Sequence, residues 1–319
     1  TEYEKITVKL AALLHDVGHA PFSHSFETVM NSDHELYTIQ IIKEESEVNT
    51  VLKEYKDSLP IDVASVIDGT HPNKILCQIV SSQLDADRMD YLLRDSYFSG
   101  TKYGEFDLER ILRTMRVAND KLAIKASGMH TIEDYIMARY HMYWQVYYHP
   151  VSRSYDTLLQ KVFKRLFDLY KKDKNIALKL PMFKQLLEKK KLSNEEMYLL
   201  DDSACFYGFN LMSQMDDGIL ADLAKRILNR NLFKYTSVDK KDDIEKKCLE
   251  KGYDLRYYFH QDYQSQNPYK PYSGKSQCIW VLKEDGSIKE LSTVSMIVSS
   301  LSQNDSYEDE KIFFPKEVL

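Results

Sequence analysis

The spacing of apolar residues along the chain predicts a mainly helical protein. Residues 6–14 form an almost uninterrupted apolar run, which predicts a largely buried helix that ends at Gly18 and Pro21. Ten glycines and eight prolines in 319 residues are few, which also favours helices over a turn-rich β fold. Further helices are expected at residues 25–30, 34–42, 73–97 (ending before Gly100), 106–112, 132–148, 155–170, 219–228 and 240–251, with one or two short helices within 44–72.

Alternating apolar and polar residues predict a smaller number of strands, most of them towards the C-terminus. Residues 117–125 alternate around a polar turn and predict a hairpin. Asp285-Gly286 predicts a second hairpin with a type I′ turn. We therefore divide the chain into a helical domain at residues 1–235 and a small α+β lobe at residues 236–319. Strands of this lobe are expected at residues 255–259 and 277–282, and the tail at residues 311–316 either adds a strand or packs on the lobe.

Composition and charge narrow the class of protein. The net charge of −6 and the isoelectric point of about 5.9 give no general attraction for nucleic acid, which would need a local basic patch. The four cysteines are far apart, without the CxxC spacing of zinc sites, which is typical of the cytoplasm. No apolar run approaches the roughly 20 residues that a membrane-spanning helix needs. We expect a cytoplasmic protein that does not enter a membrane.

Three of the nine histidines lie within ten residues of one another and next to acidic residues. These are His15, followed directly by Asp16, and then His19 and His24, with Glu27 three residues further on. An imidazole beside a carboxylate suits a borderline or hard divalent cation. A single His–Asp pair at a helix end is as often a hydrogen-bonded core pair. Several ionisable groups buried together are costly unless they are paired or bind a metal, so the cluster favours a metal site.

A second polar stretch lies on the helix expected at residues 73–97. Asp87, Tyr91 and Asp95 are spaced four apart, so they share one face of that helix. A line of carboxylate, phenol and carboxylate is unusual for a core and suits the wall of a pocket, where Asp87 would offer a further metal ligand. The alternative is a solvated face on which aspartates pair with arginines.

A third pattern lies on the helix expected at residues 132–148, which a capping box of Thr131 and Asp134 would open. Arg139, Tyr143 and Tyr147 follow one another at intervals of four. An aromatic stripe is more often core than pocket, but an arginine within it needs an anionic partner. A phosphate would serve, because the guanidinium presents several donors that match phosphate oxygens.

Together these motifs resemble the HD-domain deoxynucleoside triphosphate triphosphohydrolases, and most closely the bacterial dGTPase-like members related to the sterile-alpha-motif and HD-domain protein of animals. The resemblance is densest in residues 10–35, 81–110 and 131–153. The residues that carry it are His15-Asp16, Gly18-His19-x-Pro21-Phe22-Ser23-His24 and Asp85-x-Asp87-Arg88-x-Asp90-Tyr91-x-x-Arg94-Asp95.

The resemblance implies a bound divalent metal. His15, Asp16 and Asp87 match three ligands of the family, and the metal would be Mg²⁺, Mn²⁺, Zn²⁺ or Fe²⁺. The fourth ligand of the family is a histidine in an Arg-Phe-x-His-Ser segment upstream of the His-Asp pair. The chain begins at Thr1 without such a segment, so we expect it to be a fragment that lacks its natural N-terminus.

The resemblance also implies roles in turnover of a deoxynucleoside triphosphate to a deoxynucleoside and inorganic triphosphate. His24 is the candidate general acid or base, because histidine titrates near neutral pH and Glu27 can orient it. His34 would flank it and His19 would assist. The candidate substrate residues are Arg88, Arg139 and the further candidate Arg94 for the phosphates, Tyr91 and Asp95 for the sugar, and Tyr147 and Tyr148 near the sugar and base. Tyr143 stands where animal relatives carry a histidine.

Regulation is implied by a further match. Family members hold an activating nucleotide at a subunit interface, so a homo-oligomer, a dimer or tetramer, is expected here. The alternative for these positions is a set of basic residues at an exposed helix end, and Pro150 replaces a basic residue of the animal protein. The matching residues are Asp107, Arg110, His149, Arg230 and Lys234.

Two other classes of function stay open. One is another HD-type phosphohydrolase, a nucleotidase or phosphodiesterase acting on nucleoside monophosphates, cyclic nucleotides or guanosine tetraphosphate. Those enzymes lack the long aspartate-rich string found here at residues 85–95. The other is a nucleotide-sensing or nucleic-acid-binding protein with little catalysis, which a missing metal ligand would favour.

Overall fold

The computed structural model describes residues 1–30, 33–189, 191–266, 269, 278–303 and 307–319, and in these ranges the fold is mainly α, as predicted. The helices are α1 (Glu2–Leu14), α2 (His24–Met30), α3 (His34–Lys43), α4 (Glu47–Tyr55), α5 (Leu59–Ile67), α6 (Lys74–Val80), α7 (Ala86–Ser99), α8 (Leu108–Thr114), α9 (Met129–Met142), α10 (Pro150–Lys172), α11 (Ile176–Lys179), α12 (Lys184–Glu188), α13 (Asn194–Leu199), α14 (Asp202–Met212), α15 (Gly218–Leu228), α16 (Lys241–Glu250), α17 (Leu255–Tyr258) and α18 (Met296–Gln303). The strands are β1 (Met115–Ala118), β2 (Lys121–Lys125), β3 (Lys234–Ser237), β4 (His260–Gln266), β5 (Trp280–Leu282), β6 (Ile288–Glu290) and β7 (Tyr307–Phe314).

The chain folds into two compact units that alternate along the sequence. The boundary predicted after residue 235 does not separate them, because β5 pairs with β2 in the first unit while residues 309–319 belong to the second. The first unit comprises Thr1–Asp16, Ile42–His149 and Ser265–Glu308, and the second comprises Val17–Ile41, Pro150–Gln264 and Asp309–Leu319.

The first unit contains a four-stranded sheet in the order β1-β2-β5-β6. The predicted hairpin of β1 and β2 is confirmed, with Asn119 and Asp120 both at positive φ. β5 and β6 form the second predicted hairpin, but the type I′ turn is wrong, because Gly286 has positive φ and Asp285 does not. β5 corresponds to the strand predicted at residues 277–282, and residue 277 lies outside the described residues.

The single helix predicted over residues 73–97 is wrong, because α6 ends at Val80 and α7 begins at Ala86. Asp85 explains the break. Its carboxylate accepts hydrogen bonds from the backbone N–H groups of Ser82 (2.6 Å) and Arg88 (2.7 Å), so it turns the chain and caps α7. Gly100, in the left-handed conformation with φ of 70°, ends α7 as predicted.

Two other helices of the first unit differ from their predictions. α1 is not largely buried: it packs on α5 and α6 along one face only, and Leu13 is 73% exposed. The capping box predicted at Thr131 and Asp134 is also wrong. A 3₁₀ turn over residues 126–128 leads directly into α9, which therefore begins at Met129. One turn of π helix, Tyr143–Tyr147, continues α9.

The second unit is built around the long helix α10. Strands β3, β7 and β4 form a three-stranded sheet in that order, which confirms the first of the two possibilities expected for the C-terminal tail. The strand predicted at residues 255–259 is wrong: Asp254 caps the Arg256 N–H, and Leu255–Tyr258 form the short helix α17. Throughout the described ranges, every helix is too short or too polar to cross a bilayer.

Candidate active site

A histidine and two aspartates meet in the first unit. His15 follows the last residue of α1, and its Nδ1–H donates to the Ala12 carbonyl oxygen at 2.9 Å. Its Nε2 lies 3.2 Å from Asp16 Oδ1 and 3.3 Å from Asp87 Oδ1, in the first turn of α7. The structure thus places together the three side chains that the sequence assigns to one cation.

The electrostatics of this triad favour positive charge between the carboxylates. The hydrogen bond with Asp87 raises the pKa of His15 to about 9, against the opposing effect of burial, and the charge of Asp16 adds to it. Burial alone would raise the pKa of Asp87, but the hydrogen bond and charge of His15 lower it.

The residues present fit a divalent cation. One donor atom from each of His15, Asp16 and Asp87 lies within 4.8 Å of the others. The backbone carbonyl that holds Nδ1 fixes the imidazole orientation, as carbonyl partners commonly do for metal-bound histidines. One nitrogen and two oxygens suit a borderline or hard cation, and three protein ligands leave positions for water or substrate.

In the same unit, the guanidinium of Arg139 lies beside a group of tyrosines whose rings contact one another. Arg139 on α9 lies with its Cζ 5.9 Å from the centre of the Tyr143 ring, and its Nε is buried without a hydrogen-bond partner. Within the described ranges no carboxylate forms an ion pair with Arg139. Arg139 is partly buried, and a partly buried guanidinium without an anionic partner favours an anionic ligand at this position.

Beside Arg139, Tyr147 donates a hydrogen bond of 2.7 Å to Asp95 Oδ2. Burial, followed by this hydrogen bond, raises the pKa of Tyr147, so the phenol stays protonated and continues to donate. The Tyr147 ring lies 5.2 Å from that of Tyr143 and 6.1 Å from that of Tyr91, while Tyr148 packs on Tyr143 at 5.4 Å. These contacts connect the four residues proposed for the sugar and base, Tyr91, Asp95, Tyr147 and Tyr148, with Tyr143 and so with Arg139.

The two other candidate phosphate ligands are engaged by aspartates. Arg88 Nη1 donates to the Ser82 carbonyl and to the Asp85 carboxylate, which is 1% exposed. Arg94 pairs with Asp90 on the exposed face of α7. Sequence reasoning missed the role of Asp85, although its position three residues before Arg88 is a recognisable cap pattern.

Three histidines and a glutamate form a separate cluster in the second unit. The rings of His19 and His34 stack at 3.9 Å between centres, and His24 lies 4.8 Å from His19. Glu27 accepts hydrogen bonds from Nδ1 of His24, at 3.2 Å, and from Nδ1 of His34. Burial would raise the pKa of Glu27, but the hydrogen bonds from His34 and then His24 lower it, so the glutamate is ionised.

Two local features position these histidines. Gly18 approaches the start of α3 so closely that a Cβ would lie 2.2 Å from the Thr38 nitrogen and 2.3 Å from the His34 oxygen. Phe22 and Ser23 have positive φ, 59° and 49°, which is unusual for residues other than glycine and directs the chain into α2 at His24. Aromatic contacts hold Phe22 in place, with Phe206 at 5.7 Å.

The five residues matched to a regulatory nucleotide lie in different surroundings. In the first unit Asp107 caps α8 by accepting from the Arg110 N–H at 2.8 Å, and the Arg110 guanidinium donates to the Ser127 carbonyl oxygen at 3.0 Å. His149 ends the segment before α10. In the second unit Arg230 has φ of 52°, and Lys234 begins β3. Their regulatory role stays a prediction.

Two protein-family models and several known proteins match the chain. Residues 2–95 match the HD domain, and residues 106–180 match the HD associated region. The chain is 44% identical to the uncharacterized protein YwfO of Bacillus subtilis, over 97% of this chain and 73% of that protein. It is 29% identical to the deoxynucleoside triphosphate triphosphohydrolase SAMHD1 homolog of Dictyostelium discoideum, over 51% of this chain and 34% of that protein.

A solved structure extends the comparison to the fold. The crystal structure of a phosphohydrolase from Bacteroides thetaiotaomicron matches with a TM-score of 0.79 and 27% identity, over 98% of this chain and 80% of that one. The fold and the histidine–aspartate triad thus define an HD-domain protein, in which metal binding and phosphohydrolase chemistry go together. The chain belongs to the HD-domain phosphohydrolase family, in the group that includes YwfO.

Proposed function

We propose that the protein hydrolyses deoxynucleoside triphosphates to a deoxynucleoside and inorganic triphosphate. The observation that carries the proposal is Arg139, a guanidinium set among tyrosines in the same unit as the metal triad and, in the described ranges, without an anion. A triphosphate supplies that anion, and a nucleoside supplies flat surfaces for the tyrosines. The partial similarity to a deoxynucleoside triphosphate triphosphohydrolase of Dictyostelium supports the same substrate class.

Each candidate site residue of the first unit has a defined role in the proposed reaction. His15, Asp16 and Asp87 hold the divalent cation, which when bound polarises a phosphoryl oxygen or lowers the pKa of a water molecule. Arg139 stabilises the negative charge that develops on the phosphates. Asp95 accepts from the sugar hydroxyl with the oxygen that Tyr147 leaves available, and Tyr91, Tyr147 and Tyr148 contact the sugar and base. Arg88 has a smaller part, because Asp85 already holds it.

Proton transfer is proposed for the histidine cluster of the second unit. His24 is 74% exposed at its side chain, and Glu27 orients its ring through Nδ1. We propose that His24 donates the proton to the leaving oxygen of the nucleoside, with His19 and His34 assisting. His24→Ala should abolish turnover and leave the metal content of the triad unchanged. Loss of that metal would contradict the assignment.

The test is a substrate panel with the natural full-length protein and Mn²⁺. Inorganic triphosphate released from deoxynucleoside triphosphates supports the proposal. Orthophosphate released from monophosphates or cyclic nucleotides would identify a different HD-type phosphohydrolase, and binding without turnover a nucleotide sensor. Arg139→Gln should lower kcat/KM about 10- to 100-fold, because a charge-assisted hydrogen bond contributes about 1.5–3 kcal/mol. Arg113→Gln is the matched control on an exposed arginine.

We also propose that the active form is a homo-oligomer activated by a nucleotide at Asp107, Arg110, His149, Arg230 and Lys234. This part rests on the family resemblance of those five residues. Light scattering with and without a deoxynucleoside triphosphate measures the assembly directly. A monomer that turns over substrate at its full rate without added nucleotide would contradict this part alone.

A further inference from the structure

The histidine cluster of the second unit has a donor set unlike that of the metal triad. One donor atom from each of His19, His24, Glu27 and His34 lies within 4.8 Å of the others. The triad offers one nitrogen and two oxygens, whereas this cluster offers three nitrogens and one oxygen. Zn²⁺ in proteins is commonly held by imidazole nitrogens completed by a carboxylate. We propose that the cluster is a second cation site, with Zn²⁺ as its ligand.

The distances are close to those of a tetrahedral site. Zn²⁺ binds nitrogen and carboxylate oxygen at about 2.0–2.2 Å, which places tetrahedral donors about 3.4 Å apart. The donor atoms of the cluster lie within 4.8 Å of one another, so the widest pair must close by at most about 1.4 Å. His24 can supply that movement, because its side chain is 74% exposed and it is the first residue of α2. Glu27 and His34 are 25% and 17% exposed and form the fixed part of the site.

One ring must turn when the ion binds. The lone pair of an imidazole nitrogen lies in the plane of the ring, so two stacked rings direct their lone pairs side by side. The His19 and His34 planes differ by only 13°. Because Glu27 and the start of α3 hold His34, the His19 ring is the one that rotates out of the stack. Loss of the stacking between the His19 and His34 rings is therefore the structural change expected when the ion binds.

The charges also agree with a bound dication. Glu27 accepts from Nδ1 of both His24 and His34, so an anion already lies between two imidazoles. When a divalent ion takes the place of these protons, the same carboxylate neutralises one of its two positive charges. The imidazole-rich site and the carboxylate-rich triad therefore differ in preference, the first for a borderline and the second for a harder ion, although Zn²⁺ can bind at both when no other ion competes.

This site has a regulatory consequence, which rests on the proposed function. The histidines that bind the ion are those proposed for proton transfer. Zn²⁺ in the cluster would bind Nδ1 of His24, so the ring could no longer form the imidazolium that gives up a proton, and turnover would stop, while Mn²⁺ or Mg²⁺ at the triad would support it. Free Zn²⁺ would thus inhibit the enzyme at a site distinct from its activating metal.

The test counts Zn²⁺ without any substrate, so it stands even if the proposed reaction is wrong. Equilibrium dialysis of the full-length protein against Zn²⁺ should give two equivalents for the wild type. His15→Asn should retain one, and His24→Asn combined with His34→Asn should also retain one. His130→Asn, an exposed histidine outside both groups, is the control and should keep two. X-ray absorption at the zinc edge of His15→Asn should show four nitrogen or oxygen donors together with the multiple scattering of about three imidazole rings.

Two results would overturn the site. One is a His15→Asn protein that binds no Zn²⁺. The other is a double variant that binds as much Zn²⁺ as the wild type. His24→Gln guards against misfolding, because its exposed side chain can be replaced without disturbing the core. It should weaken the second equivalent at least tenfold, and an unchanged affinity would equally refute the site. Circular dichroism of each variant verifies the fold.

Discussion

Lys161, buried in helix α10 of the second unit, makes the stability of the protein depend on pH in a defined direction. It is 8% exposed, and its Nζ donates to the Arg256 carbonyl oxygen at 3.0 Å. Burial, and then the charge of Lys164, lower its pKa from 10.5 to about 8. The difference, at about 1.4 kcal/mol for each pH unit, means that the charged form costs the folded state about 3 kcal/mol.

The sign follows from the protons bound in each state. Between about pH 8 and 10.5 the unfolded chain keeps the Lys161 proton while the folded protein loses it. Stability therefore rises with pH across this interval, and the full cost is present below pH 8. Lys161→Met removes the charge and loses a hydrogen bond that contributes about 1 kcal/mol. The variant should be about 2 kcal/mol more stable than wild type at pH 7 and about 1 kcal/mol less stable above pH 10.5.

Urea unfolding of both proteins from pH 7 to 10.5 measures this difference, and the other titrating groups cancel because both proteins share them. Lys171→Met, at an exposed lysine of the same helix, is the matched control and should give a difference that varies little with pH. A Lys161→Met difference that is constant across the range would refute the reasoning. It would mean that the ammonium group reaches water in the folded protein.

Three further predictions concern the site and its supports. Gly18→Ala should destabilise the protein by about 1–3 kcal/mol in urea unfolding, because the new Cβ meets two backbone atoms, whereas Gly218→Ala, with nothing within 4 Å, should change stability little. Asp85→Ala should cost about 3–5 kcal/mol, because it removes a helix cap and leaves a half-buried arginine unpaired, and a loss below 1 kcal/mol would contradict the ion pair. Tyr147→Phe should raise KM about 5- to 10-fold by removing the hydrogen bond to Asp95, and an unchanged KM would place the sugar elsewhere.

That His15, Asp16 and Asp87 lie together could be predicted because local rules decide most of it. The apolar run and the glycine after it fix the end of α1, and the candidate ligands His15 and Asp16 stand at that end. The spacing of Asp87 and Asp95 places both on one face of α7, whichever residue begins the helix. The family resemblance supplied the one non-local step, which joins α1 to α7.

The failures arise where burial and side-chain contacts, which propensity does not describe, decide the local structure. Residues 255–259 have the aromatic content of a strand, yet Tyr257 donates to Asp168 and Tyr258 to Asp222, and these bonds hold the segment as a helix. Asp85 reads as one more acidic residue of a charged helix until its burial is known. Propensity describes a residue in its own segment, and tertiary contacts overrode it at both places.

The histidine cluster lies between these two cases. His19 and His24 are close in sequence, but His34 joins them only because the chain at Gly18 touches the start of α3, where the Gly18 N–H donates to Thr38 Oγ1 at 3.0 Å. No local rule gives that contact, since it depends on the absence of a Cβ at one position and a hydroxyl twenty residues later. Gly18 therefore helps to build the cluster although it offers no donor atom. A side chain at this position would push away the start of α3, and with it the second histidine that Glu27 orients.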